Sequence, residues 1–256
     1  MPLVLAGRHA LVTGGGRGIG AAIAGAFAAR GAQVTLLGRS REPLAETAKR
    51  LGPKVTFVVA NVAELAEVEA AVSTARECSG DIDILVNNAG QAASAALGKT
   101  DAALWQRMLD INLTGTYHCI QAVLPSMLER NTGRIVNVAS TAGLVGYAYC
   151  TAYCAAKHGV VGLTRALALE LASRNITVNV VCPGYTDTEI VREAIANIQE
   201  KTGRSVSEAT AALVAHNPQR RLVRPEEVAH AVLCLCLPDS DSMTGQSVAV
   251  AGGEVT

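Results

Sequence analysis

Short apolar runs bounded by glycine, proline or polar residues alternate along this chain with longer stretches whose apolar positions recur at helical spacing. The runs at 9–13, 33–37, 55–59, 84–87, 135–138, 176–181 and 247–250 read as buried strands. Between them the pattern predicts an Ala-rich helix ending at Arg30, helices over 42–51 and 64–78, and one long helix or two over 104–130. A helix opened by Tyr153 runs through Leu171, a polar and charge-rich helical stretch covers 188–216, and Pro225 starts a helix that reaches Leu237. Such alternation implies an α/β protein: a doubly wound, parallel, seven-stranded sheet with right-handed crossovers, the Rossmann architecture. No repeat, low-complexity tract or linker interrupts the pattern. A single domain over 1–256 is therefore expected, with 186–216 as a substrate flap.

The first strand runs into TGGGRGIG, Thr13 to Gly20, and a helix follows at once. Glycines permit a tight turn and let backbone N–H groups approach a pyrophosphate, at which the helix aims its positive end. Gly14, Gly18 and Gly20 form a G-x-x-x-G-x-G pattern, with Gly16, Arg17 and Ile19 in the same loop, and in this strand–turn–helix context they read as a dinucleotide site. The end of the second strand selects the dinucleotide, because a carboxylate there binds the ribose hydroxyls of NAD and an arginine the extra phosphate of NADP. Here the residues are Gly38, Arg39, Ser40 and Arg41, with no acid before Glu42 and with Arg17 as a second cation. NADP(H) is therefore expected over NAD(H), with Arg39 as the main cause and Ser40 beside it.

Residues 133–157, GRIVNVASTAGLVGYAYCTAYCAAK, carry the candidate chemistry. A short buried strand delivers Ser140 just past its carboxyl end, and the four-residue spacing of Tyr153 and Lys157 puts phenol and ammonium on one helix face. A free tyrosine titrates near pH ~10, and an adjacent cation lowers that value, so the three side chains are expected to form a tuned proton donor and acceptor. A Tyr and a Lys four apart also occur on ordinary solvated helix faces, so the pair takes its weight from the rest of the chain. Asn112 falls inside a predicted helix, where its amide competes for backbone groups and opens the helix locally.

Composition narrows the classes of partner. Lys plus Arg and Asp plus Glu both number 22, which argues against a nucleic acid or an anionic membrane held by charge. Seven cysteines sit in apolar surroundings and read as reduced thiols of a cytoplasmic protein; neither Cys150 with Cys154 nor Cys234 with Cys236 has the second pair a metal site needs. The N-terminal apolar run is too short, and interrupted too soon by Arg8, for a secretory signal, and polar residues interrupt the uncharged stretch 135–156, so no membrane span is expected.

Taken together, TGGGRGIG (13–20), NNAG (87–90), Asn112, Ser140, YCAAK (153–157) and PGYTDT (183–188) resemble, in order and spacing, the motifs of the short-chain dehydrogenase/reductase family over essentially the whole chain. The resemblance implies that Tyr153 is the catalytic acid or base and that Ser140 hydrogen-bonds the substrate oxygen. It also implies that Lys157 binds the nicotinamide ribose and lowers the tyrosine pKa, while Asn112 holds a water in a proton relay. By the same resemblance Asn88, Ala89 and Gly90 lie near the adenosine ribose, and Pro183, Gly184, Thr186 and Thr188 near the carboxamide. Many relatives carry Asp where this chain has Asn61 before Val62, an altered adenine contact.

The general organisation and the ending TGQSVAVAGGE are most similar to the 3-oxoacyl-thioester reductases, implying a keto thioester substrate. A dehydrogenase of a free cyclic, steroid or aryl alcohol and a catalytically silent dinucleotide-binding subunit stand as alternatives. Arg192, Lys201, Arg204, Arg220, Arg221 and Arg224 are either a surface for a phosphate-bearing carrier or a solvated face balanced by Glu189, Glu193, Glu200 and Glu208. A homotetramer is implied as well, pairing 101–130 and 153–173 across one interface and the C-terminal strand across another.

Overall fold

Seven parallel strands form one sheet in the order β3-β2-β1-β4-β5-β6-β7: β1 (His9–Thr13), β2 (Gln33–Gly38), β3 (Val55–Val59), β4 (Ile84–Asn87), β5 (Gly133–Val138), β6 (Ile176–Pro183) and β7 (Ser247–Val250). The computed structural model describes residues 3–255; Met1, Pro2 and Thr256, which the expected bounds 1–256 include, lie outside them. Successive strand residues point to opposite faces. Leu11, Leu37, Leu85, Ile135 and Val178 form one core with α3 (Leu65–Ser79), α5 (Gly115–Arg130) and α6 (Thr151–Glu170). Val12, Leu36, Val86, Val136 and Val181 form the other with α1 (Gly18–Ala28), α2 (Arg41–Leu51) and α9 (Pro225–Leu235). Burial on both faces is why these strands read as continuous apolar runs rather than alternating ones.

From β1 the chain winds outward to β2 and β3, then returns to place β4 on the other side of β1. That reversal opens a crevice beyond the carboxyl ends of β1 and β4, where ligands of such sheets bind.

Most element ends fall within two residues of expectation. Two differences matter. The stretch 104–130 is α4 (Ala102–Leu109), a π turn over Asp110–Thr114, and α5, and α6 begins at Thr151 rather than Tyr153. The flap contains α7 (Glu189–Thr202) and α8 (Val206–Leu213), which share a small core of Val191, Ile195 and Ala209. Among the described residues no helix is long and apolar enough to cross a membrane.

Candidate active site

β1 hands over to α1 through the glycine loop. A Cβ on Gly20 would overlap the Gly14 carbonyl oxygen, so only glycine lets the first turn of α1 fold so closely on the loop. Among the described residues no side chain caps α1 and no acid lies in its first turn. Its first amides and positive end are left for an anion, so these residues fit a dinucleotide pyrophosphate.

The loop is braced from β4. Thr13 Oγ1 accepts from the amides of Asn88 and Ala89 at 3.0 and 2.9 Å, and Asn88 Nδ2 donates to the carbonyls of Thr13 and Gly14 at 3.0 and 3.3 Å. The Asn88 side chain therefore shapes the glycine loop. Thr13 was not singled out from sequence; its signal was a hydroxyl on the last residue of a buried strand.

At the end of β2, Arg39 and Ser40 are exposed, and Arg39 makes no ion pair among the described residues. Arg17, expected as its helper, instead pairs with Glu189 at the start of α7, so its charge is already engaged. Beyond β3, Asn61 Oδ1 accepts from Ala63 N at 3.3 Å and its backbone N–H donates to Glu67 at 2.8 Å, while Val62 is buried. Ile19 and Gly16 lie half-buried along the same rim.

β5 and α6 bring the candidate reacting groups together. Ser140 follows the end of β5, and Ser140 Oγ accepts from Ala142 N at 3.1 Å, leaving its hydrogen to donate elsewhere. Lys157 Nζ donates to the Val138 carbonyl at 2.9 Å and lies 5.7 Å from the centre of the Tyr153 ring. Both groups are held in their neutral direction: burial pushes the Tyr153 phenol up to about 12, opposed by Ser140, and pulls Lys157 down to about 8. The expected lowering of Tyr153 by Lys157 is not found: desolvation moves the phenol up, and Ser140 is the group that opposes it.

The π turn explains Asn112. Its side chain donates to the carbonyls of Gln91 and Met108 at 2.9 and 3.0 Å and accepts from Gln91 N at 3.2 Å, and it is buried. It holds the chain just beyond Gly90 against α4, so its side chain positions a loop. On the far side, β6 ends in Pro183 and Gly184; Thr186 is buried, bonding back to Gly184 O at 2.9 Å, and Thr188 starts α7 against Gly18. Of the flap cations, Arg192 pairs with Asp187, and Arg221 and Arg224 with Glu227.

Three sets of groups thus meet at one crevice: a glycine cradle with an uncapped helix start, a phenol beside the Ser140 hydroxyl, and a buried lysine next to Gly90. Residues 8–199 match the family model described as short chain dehydrogenase. A Streptomyces coelicolor protein named as a ketoacyl reductase is 42% identical over 252 residues, covering 95% of each chain. The 3-oxoacyl-[acyl-carrier-protein] reductase of Vibrio harveyi is 39% identical over 249 residues, 97% of this chain and 98% of that one. A variant of the actinorhodin polyketide ketoreductase, solved with NADPH, superposes with a TM-score of 0.94 at 39% identity, covering 99% of both chains. The chain belongs to the short-chain dehydrogenase family: it is an oxidoreductase of the CH–OH/C=O couple that binds a nicotinamide dinucleotide.

Proposed function

We propose that this oxidoreductase reduces 3-oxoacyl thioesters with NADPH, as a single-domain cytoplasmic enzyme assembled into a homotetramer. The observation that carries the reading is the placement of the Tyr153 phenol, on α6, beside Ser140 at the end of β5; burial pushes the phenol up, so it keeps the proton a carbonyl oxygen needs. The bound nicotinamide supplies hydride to the carbonyl carbon. Ser140 donates its free hydrogen to the substrate oxygen and steadies the charge that grows there, and Tyr153 passes its phenolic proton to the same oxygen. Lys157, lowered to about 8, exchanges protons close to neutral pH and is suited to restore the one Tyr153 gives up. Asn112 keeps the loop after Gly90 in place while this happens.

NADPH over NADH is favoured by the exposed Arg39 and the missing acid at the end of β2. The names of the relatives support a 3-oxoacyl group, and Lys201, Arg204 and Arg220, without ion pairs among the described residues, remain to meet a phosphate-bearing carrier. Exposed Trp105, Tyr117 and Leu169 on α4, α5 and α6, with β7 at the open edge of the sheet, suit burial between subunits. Seven free thiols suit a reducing compartment.

The test is an absorbance assay of purified protein with 3-oxobutyryl thioesters and with free cyclic ketones, using each reduced cofactor. The reading requires the thioester with NADPH to give the highest kcat/KM. A higher value for a free ketone would replace it with the alcohol-dehydrogenase reading.

A further inference from the structure

The C-terminal tail brings a carboxylate to the substrate side of the site. Gly252 and Gly253 both adopt left-handed backbone (φ 62° and 90°), and a Cβ on Gly252 would overlap the Asn217 side chain, so the tail reverses tightly against the end of the flap. The reversal points Glu254 back over β6, where a Cβ on Gly184 would lie 2.9 Å from Glu254 Oε2.

There the Tyr147 hydroxyl donates to Glu254 Oε1 and lies 2.7 Å from the hydroxyl of Thr141, the neighbour of Ser140. A phenol has one hydrogen, so Thr141 is the donor in that second bond. The Tyr147 ring meets Tyr185 edge-on at 6.4 Å, and Tyr185, Cys150 and Cys154 lie close enough to Tyr153 to influence its phenol. Tyr147 thus links Glu254 to Thr141, the neighbour of Ser140, and packs against Tyr185, which puts the carboxylate on the same flank of the site as the serine. Glu254 forms no ion pair among the described residues, so its charge is balanced by hydrogen bonds alone.

We propose that Glu254 is a specificity-determining residue that selects substrates by charge, admitting neutral 3-oxo esters and thioesters and repelling 3-oxo acids whose carboxylate is free. The inference rests on the reading that the site reduces 3-oxo compounds. A substrate carboxylate on this side of the site would face a like charge that no cation pairs, and like charges are a direct means of rejecting one ligand in favour of another.

The experiment measures kcat/KM for methyl 3-oxobutanoate and for the 3-oxobutanoate anion with NADPH, in wild type, Glu254→Gln and Glu254→Asp. Wild type is expected to favour the ester by about tenfold or more, mostly through KM. Glu254→Gln should reduce that ratio by about tenfold, Glu254→Asp should retain most of it, and added salt should lower it in wild type. Melting curves of the three proteins, each differing by one side chain of similar shape, confirm that all are folded. A wild-type ratio near one, or a ratio in Glu254→Gln within about twofold of wild type, overturns the proposal. Preference for a thioester is read separately, so an enzyme that slights thioesters yet still discriminates ester from acid contradicts the proposed function and leaves the charge selection standing.

Discussion

The two flanks of the crevice are built differently. The cofactor flank takes its own residues from one stretch: Thr13, the glycine loop and the start of α1 follow one another along the chain, with Asn88 and Ala89 bracing them from 75 and 76 residues onward. The substrate flank is gathered from separate stretches, with Ser140 at the end of β5, Tyr153 on α6 and Tyr147 bonded to a carboxylate 107 residues away. Contiguity gives the first flank a motif visible in any sequence. Distance lets the second be altered one residue at a time, which suits a surface that chooses substrates.

If the flanks are separable, substitutions on one should leave the other's readout alone. The largest effect is expected from Tyr153→Phe, which should lower kcat by about 10²–10⁴-fold while the NADPH dissociation constant stays within about twofold; a parallel loss of binding would break the distinction. Next comes a pH effect from Lys157, whose folded value of about 8 lies below the ordinary 10.5. Over that interval the unfolded chain binds more protons, so stability should rise with pH, at up to about 1.4 kcal/mol per unit. The Tyr153 phenol acts in the opposite sense between 10 and about 12, where its stabilisation is lost as pH rises. Urea unfolding of wild type and Lys157→Met at about pH 7 and about pH 10 checks the sign: wild type should gain relative to the variant, because the buried thiols of Cys119, Cys182 and Cys236, raised by desolvation and acting in the opposite sense, are common to both.

Cofactor choice follows in size. Arg39→Ala should cut the preference for NADPH over NADH by about tenfold to a hundredfold with kcat unchanged. Gly38→Asp should invert that preference, and the site has room for it, since a Cβ there meets Leu44 Cδ2 at an ordinary 3.5 Å. Paired dissociation constants for the two cofactors measure both. Asn112→Ala, on the seam between the flanks, would orphan the Gln91 and Met108 backbone groups; a cost of about 2 kcal/mol, seen as a lower Tm, should come with losses in both kcat and NADPH affinity. The smallest effect is expected from Arg17→Ala: with its charge engaged by Glu189, it should change the NADPH preference by less than about fivefold.

Legibility followed the same division. All seven strands and the glycine loop could be read from the chain because strand burial and turn chemistry are local properties. Asn112 was legible as a helix disturber, since an amide that competes for carbonyls is a local fact too, but its partner Gln91 was not. Arg17 looked free because its partner lies 172 residues onward. Lys157 reads from spacing as a cation that favours the phenolate of Tyr153; spacing shows adjacency, whereas the direction of both shifts is set by how much water the fold removes, which no spacing reveals. Nothing in AGGE marks Glu254, because only the reversal at Gly252 and Gly253 gives it a place.

The π turn at Asp110–Thr114 has a consequence for anyone altering this enzyme. Such a turn is what a single inserted residue makes of an α-helix. Deleting one residue there would heal the hydrogen-bond ladder and leave α4 and α5 close to their present phase, because the wider turn absorbs the extra residue, but it would give the Met108 carbonyl a backbone partner. The Met108 carbonyl would then leave Asn112, and the loop after Gly90 would lose its tether. A redesign that ranks variants by helical regularity would choose that deletion first, and would obtain a smoother helix with a disordered crevice.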